Sequence, residues 1–402
     1  MQPDAFIDAE RETLVALCGA LVEARSVNPP GDVRAAASVV RDFLAGRGIE
    51  AEVLAAREEK PNLVMHVSGA GPGRHLSLNG HLDTIPPGDE TAWSVPVFRM
   101  ERREGRLTGL GIGNMKAGLA ALALATVWLH QMRDAWSGTV SFSAVADETV
   151  FGPDGAGWLL EARPDLLGDA LISAEGPGDM ALAVAEKGLL WLEIVAAASP
   201  GQGMTSTRES GAPVRLAQAL IALDALNDWQ ASAPADVVLL AAAAGEHGLR
   251  VSVNCGRIEG GAFVSQVATR VAAEVDIRVP PGLTIADIEA RVGSIVGGIP
   301  GLSWRRIKGW DPSWTASQAD IVATMQDAIA AVRAAPAAAV VRLPASDAAR
   351  WRARGAPAVC FGPQPTLAAG IDDFVYEQDV VDCAKIYARA AVDYLARPPQ
   401  EP

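Results

Sequence analysis

Thr139-Val-Ser-Phe-Ser-Ala-Val-Ala-Asp-Glu148 is the stretch on which the reading of this chain turns. A run of β-favouring, mostly apolar residues ends abruptly in two acids. That is the pattern of a buried strand that delivers carboxylates at its C-terminal end. Two other segments repeat it: His75-Leu-Ser-Leu-Asn79 enters Gly80-His81-Leu-Asp83, and Ala170-Leu-Ile-Ser-Ala174 enters Glu175. Apolar residues at helical spacing fill 6–25, 33–47 and 115–132, and Val53–Val67 alternates loosely. Strands alternating with helices, with polar residues at the strand ends, predict an α/β fold. The expected architecture is a mixed sheet flanked by helices, with a cleft along its carboxyl edge.

The pattern changes after residue 186. Leu189–Val195 reads as a strand, 212–227 as a helix, Leu249–Asn254 and Ala268–Arg278 as strands, and 284–297 as a second helix. This is a βαββαβ, ferredoxin-like α+β insert. The first pattern resumes near 311, passes through Ala-rich 322–340 as helix and strand, and closes with a helix at about 377–396. The expected division is 1–186 for the first part of a catalytic-type domain, 187–310 for an inserted lid and dimerisation domain, and 311–402 for the second part.

The 402 residues carry 34 Lys and Arg against 48 Asp and Glu, a formal charge of −14. That balance argues against nucleic acid or an anionic membrane as a partner, because both need clustered basic residues. Cys18, Cys255, Cys360 and Cys383 are scattered and read as reduced, mostly buried thiols. The N-terminal ten residues hold three acids and no apolar core, and Ala117–Leu129 is too short to span a bilayer. A cytoplasmic protein acting on a small molecule is the expectation.

Around these strand ends the chain resembles the co-catalytic zinc metallopeptidase family of aminoacylase, acetylornithine deacetylase, succinyl-diaminopimelate desuccinylase and carboxypeptidase G. The resemblance rests on Ser26-Val-Asn-Pro-Pro-Gly31, Gly80-His81-Leu-Asp83-Thr and Gly109-Leu-Gly-Ile-Gly-Asn114-Met-Lys116-Ala-Gly118. It continues through Asp147-Glu148, Glu175-Gly-Pro, Gly260-Gly261, Asp276-Ile-Arg278, Ser346-Asp347-Ala and Phe361-Gly-Pro. It implies a zinc-exopeptidase-like fold, a homodimer through the inserted domain, and two zinc ions that share a carboxylate and activate a bridging water.

Carried over position by position, the resemblance gives His81 as a zinc ligand and Asp83 as the residue that orients its imidazole. Glu148 matches the general base and Glu175 the carboxylate of the first zinc site. The bridging Asp is replaced by Asn114, the second-site Glu by Thr149, and the last His by Ala369. Met204 stands where an oxyanion-binding His belongs, and Ser265-Gln-Val-Ala replaces the substrate-binding Asn motif. Met204 reads as a packing residue and Lys116 as a structural cation paired with an acid. Trp93 and Trp158, beside cleft motifs, read as core or as ligand platform. Zinc wants three or four good ligands, and of the five histidines only His81 falls in a cleft motif. The expectation is therefore no resident cofactor, or at most one weakly bound divalent metal at His81 and Glu175.

Three functions follow. One is a repurposed, metal-independent enzyme in which Glu148, His81 and Asp83 do acid–base work on a small amino-acid-derived amide or N-acyl substrate. Glu175, Asn114, Arg278, Thr149 and Ser265 would bind it, Arg278 through a substrate carboxylate. The second is a non-catalytic ligand-binding or regulatory protein. The third is a one-metal amidohydrolase.

Overall fold

The computed structural model describes residues 1–207, 210–366 and 370–398. The chain divides into two compact units: one of 1–184, 315–340 and 346–402, the other of 185–314 and 341–345.

The first unit is built on a mixed sheet. Its strand order is Glu52–Ala55, Pro61–Ser68, Thr139–Val145, His75–His81, Ala170–Ser173, Ala358–Cys360 and Leu182–Glu186, the last two residues of which belong to the other unit. The four strands from Thr139–Val145 to Ala358–Cys360 run parallel. Their carboxyl ends therefore share one edge, the position where open α/β sheets place their sites. Strand Thr139–Val145 is buried on both faces, so its sequence is nearly continuously apolar rather than alternating. Expected helix 6–25 is two helices, Pro3–Ala9 and Arg11–Glu23. Helix Ala117–Gln131 is buried from Ala117 to Leu129. With the turn before it, Ile112–Gln131 is long and apolar enough to cross a membrane, yet 94% of the apolar window is buried inside the fold. It is a core helix. Gly118 lets it sit against the sheet, since a Cβ there would lie 2.2 Å from the Ala174 carbonyl oxygen.

A three-stranded sheet of Phe374–Tyr376, Arg106–Thr108 and Glu101–Arg103 was not foreseen. Its strands have three residues each, too short to carry a periodic signal.

The second unit follows the βαββαβ reading. Its antiparallel sheet has the order Ser252–Gly260, Arg270–Val279, Gly188–Ala197, Leu302–Trp310. Helices Ala212–Asp224 and Ile285–Gly297 pack on one face over Leu190, Leu192, Ile194, Val275 and Ile277. Residues of Gly188–Ala197 alternate between buried and half-buried, as a sheet with one covered face requires. Thr284 starts the second helix with a capping box to Asp287. Edge strand Ser252–Gly260 is exposed along most of its length and carries Cys255; Cys18, Cys360 and Cys383 are buried, and all four thiols are free.

Candidate functional site

His81 closes its strand and is 1% exposed. Its Nδ1 lies 2.9 Å from the Asp83 carbonyl oxygen, with the Asp83 carboxylate further off at 3.6 Å. Orientation of the imidazole thus comes chiefly from the backbone of Asp83. The carboxylate of Asp83 instead accepts the N–H groups of Glu148 and Thr149, both at 3.1 Å, the Thr149 hydroxyl at 2.7 Å and Asn28 Nδ2 at 2.8 Å. It fastens the end of strand Thr139–Val145 to the end of strand His75–His81.

A second layer holds the same turn from behind. Asp147, with φ +63°, accepts Asn28 Nδ2 at 3.0 Å and pairs with buried Lys60. Asp tolerates that left-handed backbone better than most side chains. Gly152 gives its carboxylate room, since a Cβ there would lie 1.8 Å from Asp147 Oδ2.

The Gly-rich segment supplies Asn114. Gly111 has φ +77°, and a Cβ on it would meet Thr84 Oγ1 at 2.6 Å. A Cβ on Gly113 would meet Asp373 Oδ1 at 2.5 Å. Both glycines are thus required by close approach. Asp373 accepts the Gly113 N–H at 3.1 Å; burial pushes its carboxyl up to about 7 against the opposing pull of loop N–H groups and Lys116. Lys116 is 1% exposed and donates to the Ala24 carbonyl at 3.2 Å, where an acid partner had been expected. Burial pushes its ammonium down to about 7, with Asp83 and Asp373 opposing. The segment brings Asn114 Oδ1 to 2.8 Å from His81 Nε2.

Two further acids face the same imidazole nitrogen: Glu148 Oε2 at 3.6 Å and Glu175 Oε1 at 4.0 Å, both buried. Asp347 joins them without having been given a role from sequence. It accepts Asn79 Nδ2 at 3.0 Å, and Asn79 Oδ1 accepts the Ser143 hydroxyl at 2.8 Å. Burial pushes Asp347 up to about 6; Glu175 acts in the same direction, while the Asn79 bond, His81 and Arg350 oppose it.

The donor set does not fit two metals. A bridging ligand must be anionic, and position 114 offers a neutral amide already set against Nε2. The Thr149 hydroxyl is turned onto Asp83. Ala369 lies outside the described residues. One cation fits better: His81, Glu148 and Glu175 each offer a ligand atom, all within 4.8 Å of one another.

Arg278 and Ser265 belong to the second unit. Arg278 is held by Asp276 at 3.0 Å, and Ser265 lies in an exposed loop. Met204 is 88% exposed on the short turn Gly203–Thr205, so the packing expected of it is absent. Trp93 is core, buried against Val97 and Leu110, and its Nε1 donates to the Pro87 carbonyl. Trp158 is half-buried against the cluster around Leu159 and Trp351.

A model of peptidase family M20/M25/M40 matches residues 77–393. The succinyl-diaminopimelate desuccinylase of Paracoccus denitrificans is 33% identical over 145 residues, 36% of this chain and 37% of that protein. A probable succinyl-diaminopimelate desuccinylase of Staphylococcus aureus is 30% identical over 109 residues, 27% of each. The matched stretch thus spans about a quarter to a third of these curated relatives. Human carnosine dipeptidase 1 superposes with a TM-score of 0.78 over 98% of both chains at 13% identity, a likeness of fold.

Proposed function

The chain belongs to peptidase family M20/M25/M40, and we propose that it is a repurposed member: a metal-independent enzyme acting on a small amino-acid-derived amide or N-acyl substrate. The observation that carries this reading is the 2.8 Å contact between His81 Nε2 and Asn114 Oδ1. Both imidazole nitrogens face acceptor oxygens, Nδ1 the Asp83 carbonyl and Nε2 the amide. Nε2, the nitrogen nearest the two acids, is engaged by the Asn114 amide in this arrangement.

With a proton on Nε2, the imidazole is a hydrogen-bond donor to a substrate oxygen. Glu148, 3.6 Å away, is the base. Glu148 takes a proton from water or from a substrate carbon and delivers that proton to the leaving group, while a proton on His81 Nε2 hydrogen-bonds the oxygen that gains charge. Asp83 and Thr149 keep the two groups in register. Without a Lewis acid or an oxyanion-binding His, ordinary peptide hydrolysis forgoes several kcal/mol of barrier reduction. Activated amides, eliminations and isomerisations suit the site better. The protein is further proposed to act as a homodimer through its second unit, which sedimentation at micromolar concentration checks.

A one-metal amidohydrolase is the second reading, supported by the close approach of His81, Glu148 and Glu175. Those three would hold the ion, which would polarise a substrate carbonyl. The test is a panel of N-acyl amino acids and dipeptides given to EDTA-treated protein, with products read by mass spectrometry. Turnover that survives EDTA and falls about 10²–10⁴-fold in Glu148→Gln is expected. Turnover that appears only with added zinc selects the one-metal reading. Absence of turnover under both conditions selects a ligand-binding role.

A further inference from the structure

His81 ends the strand that His75 begins, and at the His75 end two imidazoles meet over one hydroxyl. His66 lies on strand Pro61–Ser68 and Ser141 on Thr139–Val145, which stands between it and His75–His81 in the sheet. His66 is opposite Ser141, and His75 is opposite Thr139, two residues along, so all three side chains leave the same face. Ser141 Oγ lies 2.8 Å from His66 Nδ1 and 2.5 Å from His75 Nε2, and the ring centres are 6.0 Å apart. Two imidazole nitrogens thus converge on one point from two strands.

The other nitrogen of His66, Nε2, lies 3.0 Å from Asp165 Oδ2. An ionised carboxylate only accepts, so a proton on Nε2 satisfies it and leaves the Nδ1 lone pair facing Ser141. A carboxylate placed in this way is what orients a metal-binding histidine. Arg163 Nη2 is 3.2 Å from the same nitrogen, but that guanidinium is committed to Asp165 at 2.9 and 2.8 Å and to Glu52. His75 donates its backbone N–H to Asp169 at 2.7 Å. Burial, with His66 adding to it, pushes the His75 imidazole below its usual value against the pull of Asp169 and Asp165, so the ring is uncharged at neutral pH. Three carboxylates, Glu52, Asp165 and Asp169, stand around the pair against the one guanidinium of Arg163, a local balance that favours a cation. His66 is exposed, which gives a cation its way in.

Two imidazoles and a hydroxyl are few ligands for zinc, which wants three or four. They suit copper(II), which binds most tightly of the divalent first-row ions to such donors and accepts nitrogen and oxygen ligands in a plane, with water completing it. We propose that His66 and His75, with the Ser141 hydroxyl between them, form a copper(II) site in which Asp165 orients His66. The site stands on the first unit alone and does not rest on the proposed function.

The experiment is copper(II) titration of the EDTA-treated, desalted full chain with Cys255 blocked by iodoacetamide, read by calorimetry and by pulsed electron paramagnetic resonance, which counts the imidazoles on the ion. One copper coupled to two imidazoles is expected, and it should persist in His81→Asn. His66→Gln and His75→Gln should each weaken binding by at least about tenfold, and Asp165→Asn by about tenfold. The proposal is overturned by coupling to fewer than two imidazoles in the wild-type chain, by unchanged affinity in both histidine variants, or by loss of the copper in His81→Asn. The imidazole count needs no variant, so it decides the matter even where a variant fails to fold. Turnover is not read, so this outcome and that of the Glu148 test are independent.

Discussion

Asn114 Oδ1 stands 2.8 Å from His81 Nε2, so one hydrogen bond ties the Gly-rich segment to the end of the central strand. The bond occupies the imidazole nitrogen that a metal would claim. An Asp at residue 114 would set a carboxylate against that nitrogen, which makes the position a direct test of metal affinity.

Asn114→Asp with Thr149→Glu should bind zinc at least about tenfold more tightly than wild type, since a charged bridge and a second carboxylate replace a neutral amide and a hydroxyl. Calorimetry and metal analysis after desalting check this. Unchanged zinc content would mean that position 114 does not direct its side chain toward a cation. Adding Ala369→His extends the series.

Thr149→Val should cost about 1 kcal/mol in urea denaturation, because it removes the hydroxyl that donates to Asp83 at 2.7 Å. Thr149→Ser keeps that donor and should stay within about 0.5 kcal/mol of wild type.

Gly113→Ala should destabilise by about 1–3 kcal/mol, since the new Cβ would lie 2.5 Å from Asp373 Oδ1 and the neighbours must move. Gly297→Ala is the contrast. It sits in helix Ile285–Gly297 with nothing within 4 Å of a new Cβ, so a gain of a few tenths of a kcal/mol from helix propensity is expected. Equal effects at the two sites would remove the steric account.

Asp347 gives a pH signature. Its carboxyl rises from 3.8 to about 6 on folding. Its stabilising contribution is therefore fully present below pH 3.8 and is lost as pH rises through about 6. Asp347→Asn keeps an acceptor for Asn79 but cannot ionise. Relative to wild type it should gain stability between pH 4 and 7, by at most about 3 kcal/mol. Urea midpoints at pH 4.5 and 7.5 test this, and a difference that does not change with pH counts against it.

The sheet, its carboxyl edge and the βαββαβ insert were legible because long buried strands and amphipathic helices leave periodic patterns. His81, Asp83, Glu148 and Glu175 were legible because each ends a strand or follows one. Asp347 and Asp373 were not given roles, although Ser346-Asp347-Ala had been read as part of the resemblance. Asp347 acts through Asn79, 268 residues away, and Asp373 through Gly113, 260 residues away. Such pairings leave no local pattern. Thr149 read as a vacated ligand position; its hydroxyl has a use, in the grip on Asp83, that depends on a turn no sequence rule supplies.

Cys255, on the exposed edge strand, is the one thiol of the four that solvent reaches. The wild-type chain therefore carries its own single attachment point. A maleimide spin label or fluorophore, applied near pH 8.5 because burial raises this thiol somewhat, would mark the second unit alone. If two copies of the chain associate through that unit, label-to-label distances would report it directly, without engineered cysteines and without knowing the substrate.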